Sequence, residues 1–295
     1  MDYFTIKQSY YAGDYPQVLK EIEGIENPEN DDTLSFYKLK SQLVLNKYTE
    51  DESSLLGATF ALYSDFLTSR DIKKLENSVS VETSGLYELN LLACAQAILG
   101  DYEESLATCF KGIERDDSIG NVELILLAVQ VALLNDQPSM ASSALENYVS
   151  ANQDAITSDV ELIINLAEAY IKFYTTKDVA SSNFYYFEEL AQTFPTWKTQ
   201  LGLLNSHLQQ RNIEEAEDIV RLLESDFYCA QADICASYKE HLLANKITLS
   251  IMQGKDNTNE LRAELAKVNP KHTFVKSNDA LNAKFNDLVI KYSSN

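Results

Sequence analysis

Three histidines, four cysteines and three pairs of adjacent glutamates are the side chains of this chain best suited to chemistry. His207, His241 and His272 could ligate a metal or shuttle a proton, but none has a second ligand at the four-residue spacing that places two on one helix face. They read as surface or packing residues. Cys94, Cys109, Cys229 and Cys235 form no C-x-x-C pair and fall in helix-like segments, which favours buried free thiols over a metal or redox centre. The pairs Glu103-Glu104, Glu188-Glu189 and Glu214-Glu215 could serve acid–base catalysis, yet they sit beside helix ends where carboxylates complement the helix dipole. No P-loop, G-x-G-x-x-G, H-E-x-x-H, G-x-S-x-G or EF-hand loop occurs. Trp197, following Phe194-Pro195, reads as packing at the start of a helix. The expectation is a protein that is not an enzyme and has no cofactor or metal.

The elements that would hold these residues are helical. Gly13-Asp14-Tyr15, Asn46-Lys47-Tyr48, Gly100-Asp101-Tyr102, Asn135-Asp136-Gln137 and Arg211-Asn212-Ile213 each follow one apolar-periodic run and precede another. Gly or Asn ends a helix in the left-handed conformation and a following Asp caps the next, so each phrase reads as a tight turn between antiparallel helices. Leucine followed by a second apolar residue, usually alanine, recurs at Leu92-Ala93, Leu127-Ala128, Leu166-Ala167, Leu203-Leu204 and Leu243-Ala244, at intervals of 35 to 40 residues. This loosely matches the tetratricopeptide (TPR) template, in which a small residue lets two helices approach closely. The predicted fold is therefore all-α, a TPR-like solenoid of helical hairpins forming a single domain over residues 1–295. Residues 49–85 break the period and read as an irregular insertion, with an extra helix from Leu55 to Leu67 and a polar linker around Asn77 to Ser84. Residues 256–295 read as a C-terminal capping region, whose last helix carries Phe274, Val275, Leu281, Phe285, Leu288 and Val289. The first helix, Tyr3 to Tyr11, would cover the opposite end.

Composition excludes other classes. With 45% hydrophobic and 23% charged residues the chain can bury a core, and 9 Gly and 5 Pro are too few for a turn-rich β-fold. The 24 basic against 45 acidic residues, a formal charge of -21, repel nucleic acid and anionic lipid. The N-terminus has no basic region leading into an apolar run, and the most apolar stretch, Leu124 to Leu134, is far shorter than the ~20 residues of a membrane span. A cytoplasmic protein is expected.

A solenoid binds through the concave surface of its first helices. Template positions facing inward include Asn90, Cys94 and Ile98, then Ile125, Val129 and Leu133, then Ile164, then Leu201 and Asn205. The second set is wholly apolar, which an open groove would expose. The expectation is that this groove holds an apolar extended segment of a partner chain, with Asn90, Asn205 and Asn245 bonding its backbone. The alternative is that the superhelix closes tightly and these residues meet one another.

Met1-Asp-Tyr-Phe-Thr-Ile-Lys-Gln-Ser-Tyr-Tyr-Ala-Gly-Asp-Tyr15, Ala95-Gln-Ala-Ile-Leu-Gly-Asp-Tyr-Glu-Glu-Ser-Leu106, Thr193-Phe-Pro-Thr-Trp-Lys-Thr-Gln-Leu-Gly-Leu-Leu-Asn205 and Ala283-Lys-Phe-Asn-Asp-Leu-Val-Ile-Lys-Tyr292 resemble the epsilon subunit family of coatomer, in a fungal version. That resemblance implies a non-catalytic subunit of the vesicle coat that works from the Golgi to the endoplasmic reticulum and within the Golgi. It also implies a heteromeric complex in which the C-terminal domain of the alpha subunit is bound and stabilised, and a ring-like closure of the repeats around a partner element. Membrane association would be peripheral, on Golgi membranes and coated vesicles, with no direct insertion. The alternative is a TPR co-chaperone or adaptor binding an extended peptide.

Overall fold

Helix after helix ends in the same way, and that local device sets the architecture. The computed structural model describes residues 3–26, 28, 31–50, 54–115, 119–176 and 182–293. Among them, regular structure is helical: α1 (Phe4–Ala12), α2 (Tyr15–Glu23), α3 (Asp32–Val44), α4 (Leu55–Ser69), α5 (Lys73–Ser78), α6 (Leu86–Leu99), α7 (Tyr102–Ile113), α8 (Asn121–Leu134) and α9 (Pro138–Ala151). There follow α10 (Ser158–Tyr174), α11 (Ser182–Thr193), α12 (Trp197–Gln210), α13 (Ile213–Leu223), α14 (Asp226–Cys229), α15 (Ala232–Gln253), α16 (Thr258–Val268) and α17 (Thr273–Ser293).

Helix ends that carry a residue at positive φ include Gly13, Asn46, Gly100, Asp136, Arg211 and Gly254. Each closes with two backbone bonds, as when Gly100 N–H donates to Ala97 O at 3.0 Å and Asp101 N–H to Gln96 O at 3.0 Å. The phrases identified in the sequence are these turns. In two of them the left-handed residue is not the Asn: it is Asp136 after Asn135, and Arg211 before Asn212. The conformation follows the position just past the helix, and the turn's bonds offset the roughly 1 kcal/mol that a side chain loses there. Asp14 does cap α2, accepting from Gln17 N–H at 3.2 Å.

The small positions are where the helices meet. Ala93, Ala128, Ala167 and Ala216 are buried. On α7, a Cβ at Gly112 would lie 2.7 Å from Leu124 Cδ1, so glycine there lets α8 come close. Between residues 49 and 85 the extra helix is α4, and the expected linker is partly ordered as α5, anchored by the buried Leu75 and Val79. Residues 51–53 of that stretch lie outside the described residues.

Where the sequence predicts one continuous domain, contacts group the chain into two compact units, Met1–Tyr186 and Phe187–Asn295. In the first, hairpins stack in order from α1 to α10, and α1 then packs against α10. In the second, α12, α13 and α15 surround Trp197, Leu204 and Leu223, while α15 and α16 enclose a smaller cluster of Leu243, Ile247, Leu261 and Leu265. The C-terminal cap is made by α16 and the first turn of α17, where Phe274 and Val275 pack on that cluster. Further along α17, Leu281, Phe285, Leu288 and Val289 are exposed and so take no part in the capping expected of them.

Two consequences can be measured. Gly100 has φ +92° and nothing lies within 4 Å of the place a Cβ would occupy, so Gly100→Ala should cost about 1 kcal/mol in urea unfolding through backbone strain alone. Deleting residues 281–293 should change the unfolding free energy by less than about 1 kcal/mol, because those side chains bury little.

Candidate partner-binding surface

The inner helices of the first unit are held together by one buried cation. Lys7 projects from α1, and its Nζ lies 3.1 Å from Glu123 Oε1 on α8 and 2.7 Å from Asp159 Oδ2 on α10. The lysine side chain is only 6% exposed and that of Glu123 only 2%. Burial opposes the Lys7 charge, but the Glu123 and Asp159 carboxylates hold its pKa above the usual lysine value. Burial likewise opposes the Asp159 charge, but the hydrogen bonds from Lys7 and Thr157 and the Lys7 charge bring its carboxyl below the usual range.

An aromatic cluster surrounds this clasp. Tyr37 O–H donates to Glu123 Oε1 at 2.8 Å, and the Tyr11 hydroxyl lies 3.3 Å from that of Tyr37. Tyr10 meets Tyr37 edge-on at 4.9 Å, and Phe36 stacks on Tyr87 at 4.3 Å. Burial pushes the Tyr11 and Tyr37 phenols well above their ordinary value, so they remain neutral hydrogen-bonding groups.

These contacts decide where the inward row lies. Ile125, Val129, Leu133 and Ile164 are buried in the core of the first unit and do not line a groove open to water. The closed alternative is thus the one found for this apolar row: α1 meets α10 and the inward side chains meet one another. Leu201 is buried in the core of the second unit, and Asn205 and Asn245 are half-buried there. Asn90 is buried, but Cys94 is half-buried and Ile98 is 46% exposed. At four-residue intervals these three form one line along α6, running from the interior to the surface.

Asn90 and Cys94 are brought together by a residue that the repeat template misses. Lys40 on α3 donates to Asn90 Oδ1 at 3.4 Å and to Cys94 Sγ at 3.7 Å, while Asn90 Nδ2 donates to Glu123 O at 3.3 Å. The signal is present in the sequence: Lys40 follows Phe36 by four residues and Tyr37 by three, on their face of α3. The template assigns no inward set to α3 because the period breaks after it.

The remaining candidate chemistry resolves locally. Trp197 packs at the start of α12, with its indole N–H donating to Tyr228 O at 3.3 Å. Cys109 is a buried free thiol as expected, but Cys229 is exposed and Cys235 half-buried. Among the described residues no three His, Cys, Asp or Glu side chains are placed to hold a metal ion, and no helix is long and apolar enough to cross a membrane. Convergent polar groups are found instead where Lys40, Asn90 and Cys94 meet, between α3 and α6.

Lys7→Ala should lower the unfolding free energy by about 3 kcal/mol near neutral pH, since the buried Glu123 and the half-buried Asp159 are then left without a counter-charge. The depressed Asp159 pKa contributes stability that is present above its unfolded value and lost as pH falls through the folded one. The difference between wild type and variant, followed by urea denaturation, should therefore shrink on acidification below about pH 4.

The same geometry is carried by a chain with recognisable relatives. The family model described as "Coatomer epsilon subunit" matches residues 2–293. The chain is also 52% identical over 296 residues to the Saccharomyces cerevisiae protein "Coatomer subunit epsilon", covering 100% of this chain and 99% of that one.

Proposed function

The chain belongs to the coatomer epsilon subunit family, and on that premise we propose that it is a non-catalytic scaffold subunit of this heteromeric vesicle coat. Its partner in this reading is the C-terminal domain of the coatomer alpha subunit, which it binds and stabilises. It works in retrograde Golgi-to-endoplasmic reticulum and intra-Golgi transport, in the cytoplasm and peripherally on Golgi membranes and coated vesicles. Contact with the bilayer is left to other subunits, which suits a chain of formal charge -21.

The observation that supports this reading most is the place in the first unit where α3 meets α6. Its apolar interior is filled by its own side chains, yet the α6 line of Asn90, Cys94 and Ile98 ends in an exposed isoleucine beside convergent polar groups. The partner segment docks there, on Ile98 and the half-buried rim. Ile125, Val129, Leu133 and Ile164 act from behind, as the packed wall that keeps the rim rigid. In this reading the half-buried Asn205 and Asn245 of the second unit bond the partner backbone, with Leu201 in the core one turn before Asn205.

Co-expression with the C-terminal domain of the alpha subunit should give a single complex in size-exclusion chromatography. Migration of the chain alone at 33.2 kDa would overturn the reading. Ile98→Asp, at an exposed site, should weaken that complex by about tenfold or more while leaving the circular dichroism and thermal midpoint of the free chain unchanged.

A further inference from the structure

The first unit contains two interior lysines with opposite surroundings. Lys7 is matched by two carboxylates. Lys40 is half-buried and makes no ion pair among the described residues. Its Nζ meets one amide oxygen, Asn90 Oδ1 at 3.4 Å, and one sulfur, Cys94 Sγ at 3.7 Å. Two ring faces complete the surroundings, Phe36 with its centroid at 5.2 Å and Tyr63 at 5.7 Å. In a chain with 45 acidic residues a counter-ion is easily supplied, so a partly desolvated ammonium held among neutral groups is unusual.

Neutral acceptors and ring faces hold an ammonium in place without cancelling its charge. The amide and the thiol fix the direction of Nζ, and the tightly packed Phe36 and Tyr63 fix its stem. The result is a positioned cation with no carboxylate partner, whose contact Cys94 lies one helical turn before the exposed Ile98 on α6. One ammonium balances one carboxylate. A phosphate dianion would bring a second charge that the acidic surface repels.

We propose that Lys40 is the recognition cation for a partner chain, and that an Asp or Glu side chain of the docked segment pairs with its Nζ while a neighbouring apolar residue covers Ile98. This rests on the reading that the surface where α3 meets α6 receives a partner polypeptide. It adds the chemistry of that segment: an acidic residue beside an apolar one. The free protein bears the cost of the unmatched charge, and binding relieves it.

Lys40→Met tests this, because methionine keeps an unbranched stem against Phe36 and Tyr63 while removing the charge and its bonds to Asn90 and Cys94. Expected are a thermal midpoint of the free full-length chain equal to or above that of wild type, an affinity for the C-terminal domain of the alpha subunit lower by about tenfold or more, and a flattened salt dependence of binding. An unchanged affinity where wild type forms the complex would overturn the Lys40 role and leave the proposed function standing. A midpoint several degrees lower would show that Lys40 serves the fold, and would overturn it too. Failure of wild type to form the complex would overturn the proposed function and this inference together.

Discussion

Much in the first unit depends on a lysine that has left water. Lys7 brings a positive charge into an apolar, aromatic interior, and only the simultaneous presence of Glu123 on α8 and Asp159 on α10 makes that burial tolerable. The pairing specifies more than stability. Non-directional apolar packing would let α1 slide along its neighbours, whereas a cation that must reach two particular carboxylates has one register. Tyr37 adds a second hydrogen-bonding partner at the Glu123 carboxylate, so α3 is drawn into the same arrangement.

Once α1 is seated against α10, the inward faces of the hairpins have nowhere to go but onto each other. Ile125, Val129 and Ile164 then become core, while α3 and α6 approach one another at Lys40 and Asn90. Lys40 stands out there because its neighbours are neutral. Lys7 and Lys40 show the same side chain in two settings within one interior, in one case matched by carboxylates and in the other held by an amide, a thiol and two rings. The acidic excess of the chain suits a solvated outer face, while its interior cations are few and positioned.

The long last helix follows a different logic. Its first turn finishes the apolar layer over Leu261 and Leu265, which suffices to close the second unit's smaller cluster. The turns beyond it keep helical periodicity of apolar residues without a described element to cover them. Periodicity reports which face would be buried if something were there to bury it, which is why the whole helix reads as a cap and only its start acts as one.

Local rules accounted for what the sequence by itself determined: helical hairpins, their left-handed turns, the small residues at close approaches, and the family likeness carried by these phrases. Such features arise within about one repeat and need no knowledge of distant residues. Even there, tertiary context chose Asp136 and Arg211 for the left-handed positions, because the place in the turn outweighs the residue's own preference. Of the candidate site, the α6 line of Asn90, Cys94 and Ile98 was legible, since spacing alone puts it on one face. Of Lys40 only its face of α3, shared with Phe36 and Tyr37, was legible, because its place beside that line comes from how α3 packs on its neighbours. Only the tertiary structure decided that the apolar row is enclosed. That outcome depends on small rotations accumulated over successive hairpins and on Lys7 meeting carboxylates far along the chain, and neither is written in any single stretch of residues.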